Sequence, residues 1–165
     1  MTPTTAKTMI LAACVIAFST TLAAVDIPRV IPHSAVSPKS PSEVYGLYKN
    51  YLSDPSLSRF QLDKADESSK TITAQQMGVD SGRWSRWAAC QTDVQHLVYK
   101  MVDNSIKVKV TLAPSQKGTF VTVSADFNAT YEFRYDRIEV ACKSTGALED
   151  ELLSVSDAKP FAPKT

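Results

Sequence analysis

The sequence predicts an α+β domain: a curved antiparallel sheet of about five to six strands, with an N-terminal and a C-terminal helix on one face. Three observations predict it. Val44, Leu47, Tyr48, Tyr51 and Leu52 recur at helical spacing. Ile106 to Leu112 and Val121 to Phe133 alternate apolar with polar residues, the two-residue period of a half-buried strand. Leu148, Leu152 and Val155 return to helical spacing at the end of the chain.

The chain of 165 residues begins with a targeting pattern. One cation, Lys7, precedes the apolar run Met9 to Phe18, and small residues follow through Ala24. The run is too short to span a bilayer, so residues 1–24 read as a signal peptide cleaved after Ala23 or Ala24. An alternative is lipidation at Cys14, because Leu11-Ala12-Ala13-Cys14 has the form of a lipobox; the chain stays apolar beyond Cys14, which favours a cysteine inside a discarded segment. Pro28, Pro32 and Pro38 make residues 25–39 an extended, Pro-rich linker, and residues 40–156 form a single α+β domain. Pro160 and Pro163 mark residues 157–165 as a tail.

Within the domain, Ser40-Pro41-Ser42-Glu43 is a capping box with proline at the first helical position. The helix stops at Asp54 because Pro55 disfavours helical geometry before it. Phe60 and Leu62, the turn Asp66-Glu67-Ser68-Ser69, and Ile72 and Ala74 form a hairpin. Residues 94–102 fit a helical stripe or a strand, with strand preferred, since Asp103-Asn104 has turn chemistry and Ile106 to Leu112 alternates beyond it. A turn at Pro114 to Gly118 leads to a strand from Val121 to Phe133, long enough to need a bend or bulge. Ile138, Val140 and Cys142 make the last strand, and Ser144-Thr145-Gly146 caps the terminal helix.

Loss of residues 1–24 removes one of three cysteines, leaving Cys90 and Cys142 to form one disulfide in an oxidising compartment. It also removes Lys7, so eighteen basic against seventeen acidic residues become seventeen of each. A balanced charge argues against nucleic-acid binding and against a polybasic membrane surface. Lys100, Lys107, Lys109 and Lys117 read as a solvated face that also protects a sheet edge. His33 and His96, without a Cys-x-x-Cys pair, are too few for a zinc site, and no cofactor motif is present.

The one aromatic and basic cluster is Arg83-Trp84-Ser85-Arg86-Trp87. It is either a binding patch of Arg83, Trp84, Arg86 and Trp87 or, the favoured reading, core cover beside the disulfide. No nucleophile elbow or phosphate loop occurs, and His96 has no identifiable catalytic partner. Asp63, Asp66, Glu67, Asp126 and Glu132 fall in turns or on polar strand faces, so the domain reads as non-enzymatic. Asn128-Ala129-Thr130 is a glycosylation sequon of low specificity.

The run Cys142-Lys143-Ser144-Thr145-Gly146-Ala147-Leu148-Glu149, with Trp87-x-x-Cys90 and Gly118-Thr119-x-Val121-Thr122-Val123 before it, resembles small envelope proteins and lipoproteins of proteobacteria. Those in turn resemble the helix-grip domains of an accessory lipoprotein of the outer-membrane β-barrel assembly machinery. The resemblance covers residues 40–155 and implies a helix-grip-like fold, a periplasmic or secreted location, and another envelope or secreted protein as partner. An outer-membrane lipoprotein is the lesser alternative, since this chain lacks a well-placed lipobox. A secreted inhibitor or effector and a small apolar ligand carrier remain alternative functions.

Overall fold

In this computed structural model, residues 33–90 and 100–160 are described. The signal segment with Cys14, Ala23 and Ala24, linker residues 25–32, positions 94–99 with His96, and tail residues 161–165 lie outside the described residues.

The element order is β1 (His33–Ser37), α1 (Pro41–Ser53), β2 (Gln61–Asp66), β3 (Thr71–Met77), α2 (Ser81–Trp87), β4 (Ala88–Ala89), β5 (Lys100–Ser115), β6 (Gly118–Phe133), β7 (Asp136–Ser144), α3 (Ala147–Ser154) and β8 (Lys159–Pro160). The strands pair antiparallel in the order β2-β3-β5-β6-β1-β8. β7 takes the other half of the β6 edge, and β4 makes a short ladder with the end of β7.

The capping box forms as its residues require. Ser40 N and Ser40 Oγ both donate to Glu43 Oε2, and Glu43 N donates back to Ser40 Oγ. The Ser40 contacts hold the Glu43 carboxyl below its ordinary range. At the β2–β3 turn the Ser68 hydroxyl, aided by backbone N–H groups of Ser68 and Ser69, brings the Asp66 carboxyl down to about 2.

One core joins the inner face of the sheet to the helices. Ile72, Ile106, Val108, Val110, Val121 and Val123 are fully buried there beneath Val44, Tyr48 and Leu52 of α1. Tyr48 Oη donates to Leu152 O at 2.9 Å, tying α1 to α3, and Trp84 of α2 meets Phe127 of β6 edge to face.

Several expectations are corrected. Linker residues 33–37 form β1, paired with Thr119 to Val123 of β6, and tail residues 159–160 form β8 against β1. Prolines permitted this because β1 ends at Ser37, before Pro38, and Pro160 sits on an edge. The tail is held further by Ser37 Oγ donating to Ser156 O and by a Lys39–Asp157 ion pair. These additions carry the strands past the expected five or six.

The Asp103-Asn104 turn is absent, and β5 runs through both residues. The Asn104 amide is satisfied instead by the backbone of Val79, accepting from Val79 N and donating to Val79 O. That bidentate pairing fastens the β3–α2 connection, so side-chain chemistry read as a turn serves a tertiary contact. The sheet is open and uncurled rather than curved. Its register shifts fall at Leu62/Lys64 and Met101/Asp103, while the centre of β6 pairs without interruption against β5. Lys107 and Lys109 lie on β5 between β3 and β6, so they protect no edge.

Candidate functional site

Sequence reasoning pointed first to Arg83, Trp84, Arg86 and Trp87. Asp80 caps α2 by accepting from Arg83 N, and the helical spacing of Trp84 and Trp87 turns both indoles inward. They are 5% and 4% exposed, so neither offers a face to a partner. Arg83 stands over the Trp87 ring at 5.9 Å from its centroid, and Arg86 is exposed. The aromatic binding patch is therefore corrected to a core cluster with two arginines at its margin.

The disulfide between Cys90 and Cys142 is present, closing a separation of 52 residues and joining the exit of α2 and β4 to β7. The run that follows Cys142 is a structural clasp. Thr145 Oγ1 donates to Arg86 O, and Thr145 N donates to Trp87 O. Ser144 Oγ donates to Glu149 Oε2 at 2.7 Å while accepting from Gly146 N. Gly146, at φ 88°, serves as the N-cap of α3 without a side-chain bond, so Ser144 and Thr145 do not cap the helix in the expected way. A Cβ on Gly146 would lie 2.6 Å from the His33 ring, and His33 Nδ1 reaches Asp150 Oδ1 at 3.2 Å. Glu149 is fully buried, and its Oε1, like Trp87 Nε1, has no hydrogen-bond partner among the described residues.

The sheet topology creates an opening beside this clasp. β6 is flanked by β1 up to Val123 and by β7 from Phe127, so Ser124, Ala125 and Asp126 lack a ladder partner on that side among the described residues. Successive residues of a strand direct their N–H and C=O groups to opposite sides, so at least one of the three turns them into the gap. A cleft of about 720 Å³ opens there, with His33, Lys107, Asp126, Asn128, Lys143 and Thr145 among its walls.

Lys107 pairs with Asp126 across β5 and β6 on the face away from the helices, and Lys143 lies one residue past the Phe127–Cys142 rung at which β6 and β7 part. Lys143, paired with Ala89 of β4, borders the same cleft from the β7 side. Neither lysine forms an ion pair among the described residues. The cleft thus presents charges of both signs with Gln75 and Asn128 amides beside them, suited to polar recognition. Asn128, the sequon residue, is exposed in this cleft.

The carboxylates considered for catalysis are not gathered. Asp63 accepts from Thr73 on the β2–β3 hairpin, Asp66 is held by serines in its turn, and Glu132 meets Arg137 near the tip of the β6–β7 hairpin. Sequence reading missed the cleft residues as a group. The split of the β6 edge depends on β1, which the prolines around it disguised as linker.

No family model matches the chain, and no curated protein matches it. A crystal structure of a DUF4468 family protein from Bacteroides ovatus ATCC 8483 is similar over 70% of this chain, with 13% identity and a TM-score of 0.40. This chain spans 62% of that protein's length, less than two thirds, and the likeness is too low to carry fold or function across.

Proposed function

We propose that the chain is an exported, non-enzymatic binding protein of the cell envelope, periplasmic or secreted, which holds another protein or envelope component against the sheet face away from its helices. The observation that carries this reading is the cleft at the β6 split, where charges of both signs without an ion pair meet strand backbone without a ladder partner, both among the described residues. Export is supported by the Cys90–Cys142 disulfide and by the pattern of residues 1–24. No helix among the described residues is long and apolar enough to cross a membrane. A helix-grip-like relationship belongs to the same proposal, resting on α1 and α3 sharing one face of an antiparallel sheet.

One observation favours a second reading, an inhibitor or effector acting through a loop. Tyr135, at the tip of the β6–β7 hairpin, is 99% exposed. An apolar ligand carrier is less favoured, because Tyr48, Leu52, Ile72, Ile106 and Phe127 fill the space between helices and sheet.

A photo-crosslinking amino acid at Asn128, with one at exposed Lys49 on α1 as control, tests the reading in the native cells. Discrete adducts from position 128 and few from 49 are expected, on a mature chain whose mass begins after Ala23 or Ala24. Equal labelling from both positions, or an unprocessed chain retained in the cytosol, overturns it. Crosslinking through position 135 alone favours the inhibitor reading.

A further inference from the structure

A second groove, of about 650 Å³, shares Gln75 and Met77 with the first and lies where β3 outruns its neighbour β2. The last rung between β2 and β3 is Gln61 with Gln75. Gln76 and Met77 go on to pair with Ile106 and Ser105 of β5, but on the β2 side they have no ladder partner among the described residues. The cause is local. Arg59 takes a left-handed conformation at φ 61°, which is unfavourable for a residue with a side chain and turns the chain away from the sheet just before β2.

Gln76 makes this notch unusual. Its side chain points to the inner face and is 8% exposed, yet its amide makes no hydrogen bond among the described residues and its Oε1 is buried without a partner. A buried amide oxygen with no partner destabilises a fold, and an apolar side chain of the same length would not carry that penalty. Such a group is expected where binding, rather than stability, requires it.

The other walls define what would bind. Leu62, half-buried, and Met77, 60% exposed, offer apolar surface on opposite faces of the sheet, with the Phe60 ring buried behind Leu62. Arg59 is the one ionisable residue lining the groove and forms no ion pair among the described residues. A primary amide can exchange two hydrogen bonds with a peptide unit, and a guanidinium matches a carboxylate with two parallel bonds.

We propose that this groove binds the carboxy-terminal end of an extended apolar peptide. The terminal carboxylate meets Arg59, one peptide unit pairs with the Gln76 amide, and successive apolar side chains lie on Leu62 on one face and on Met77 on the other. Recognition resembles strand addition at a sheet edge, limited to the two rungs that β2 leaves open.

The test is an NMR titration of the folded, disulfide-bonded chain with acetyl-Ala-Val-Leu carrying a free carboxylate, and with the same peptide as its C-terminal amide. Saturable shifts centred on Phe60, Gln76 and Met77 are expected for the acid, with the amide at least about tenfold weaker, the loss of a charge-assisted bond. Arg59→Asn, which tolerates the left-handed conformation, should bring the acid down to the affinity of the amide. Gln76→Met should abolish binding of both peptides while raising Tm by a few degrees. Equal affinity for acid and amide, no saturable shift up to millimolar peptide, or a Gln76→Met chain that still binds overturns the proposal. A Gln76→Met chain with lowered Tm also overturns it, because the amide would then be structural.

Discussion

Tyr48→Phe should change not only how stable the domain is but how that stability depends on pH. The ring stays in a fully buried site, so the substitution removes one hydroxyl that donates to Leu152 O at 2.9 Å and meets Ser156 Oγ at 3.3 Å. At pH 7 the loss of that hydrogen bond should destabilise the protein by about 1 kcal/mol. Burial pushes the Tyr48 phenol up from 10.0 to about 12, against a smaller opposing effect of Ser156. Because the folded value lies above the unfolded one, the native state resists ionisation. The stability attached to the protonated phenol is complete below pH 10 and drains away as pH rises toward 12. At pH 11 the wild type should have lost about 1.4 kcal/mol through this group alone, the equivalent of one pH unit. Tyr45 and Tyr51, whose phenols burial also raises, are common to both proteins and drop out of the difference. Urea unfolding of both proteins at pH 7, 9 and 11, followed by tryptophan fluorescence, measures the outcome. The wild-type advantage of about 1 kcal/mol should persist at pH 9 and vanish or reverse by pH 11. An advantage unchanged at pH 11 would refute the assignment of Tyr48 as a buried, protonated tie between α1 and α3.

Two further outcomes follow from the clasp around β7. Ser144→Ala removes the hydroxyl that donates to the buried Glu149 carboxylate, and chemical denaturation should show a loss of about 2 kcal/mol, against no more than about 0.5 for Ser154→Ala on the exposed side of α3. Cys90→Ser with Cys142→Ser releases a closure of 52 residues, and its unfolding midpoint should fall by an amount equivalent to about 4 kcal/mol on the chain-entropy model; a midpoint unchanged from the oxidised protein would show that the bridge constrains nothing.

Elements fixed by nearest neighbours were legible. The Ser40–Glu43 box starts α1 as written, the Asp66 turn closes β2 onto β3, and the alternation from Val121 to Phe133 is β6. Elements that depend on distant partners were not. Residues 33–37 carry no strong strand signal, and they become β1 because β6 offers an open edge from Thr119 to Val123. Asp103-Asn104 has the composition of a turn, and Val79, twenty-five residues away from Asn104, decides that it is strand. The Trp84 and Trp87 cluster was legible as two alternatives. Their spacing on α2, set by the Asp80 cap, selected the core.

The same division runs through the sites. The sequence by itself determined the α+β class, both ends of α1, the strand β6 and the cysteine pair, because helix caps, strand alternation and disulfide chemistry act over short distances or through rare residues. Only the tertiary structure decided where the sheet is incomplete. The cleft at Ser124 to Asp126 and the notch at Gln76 and Met77 exist because one strand outruns another, and strand lengths are set by the register between segments far apart in the chain. A lysine, an aspartate or a glutamine has the same local pattern on a filled edge as on an open one, so its solvation and partners become visible only when the neighbouring strand is seen to end.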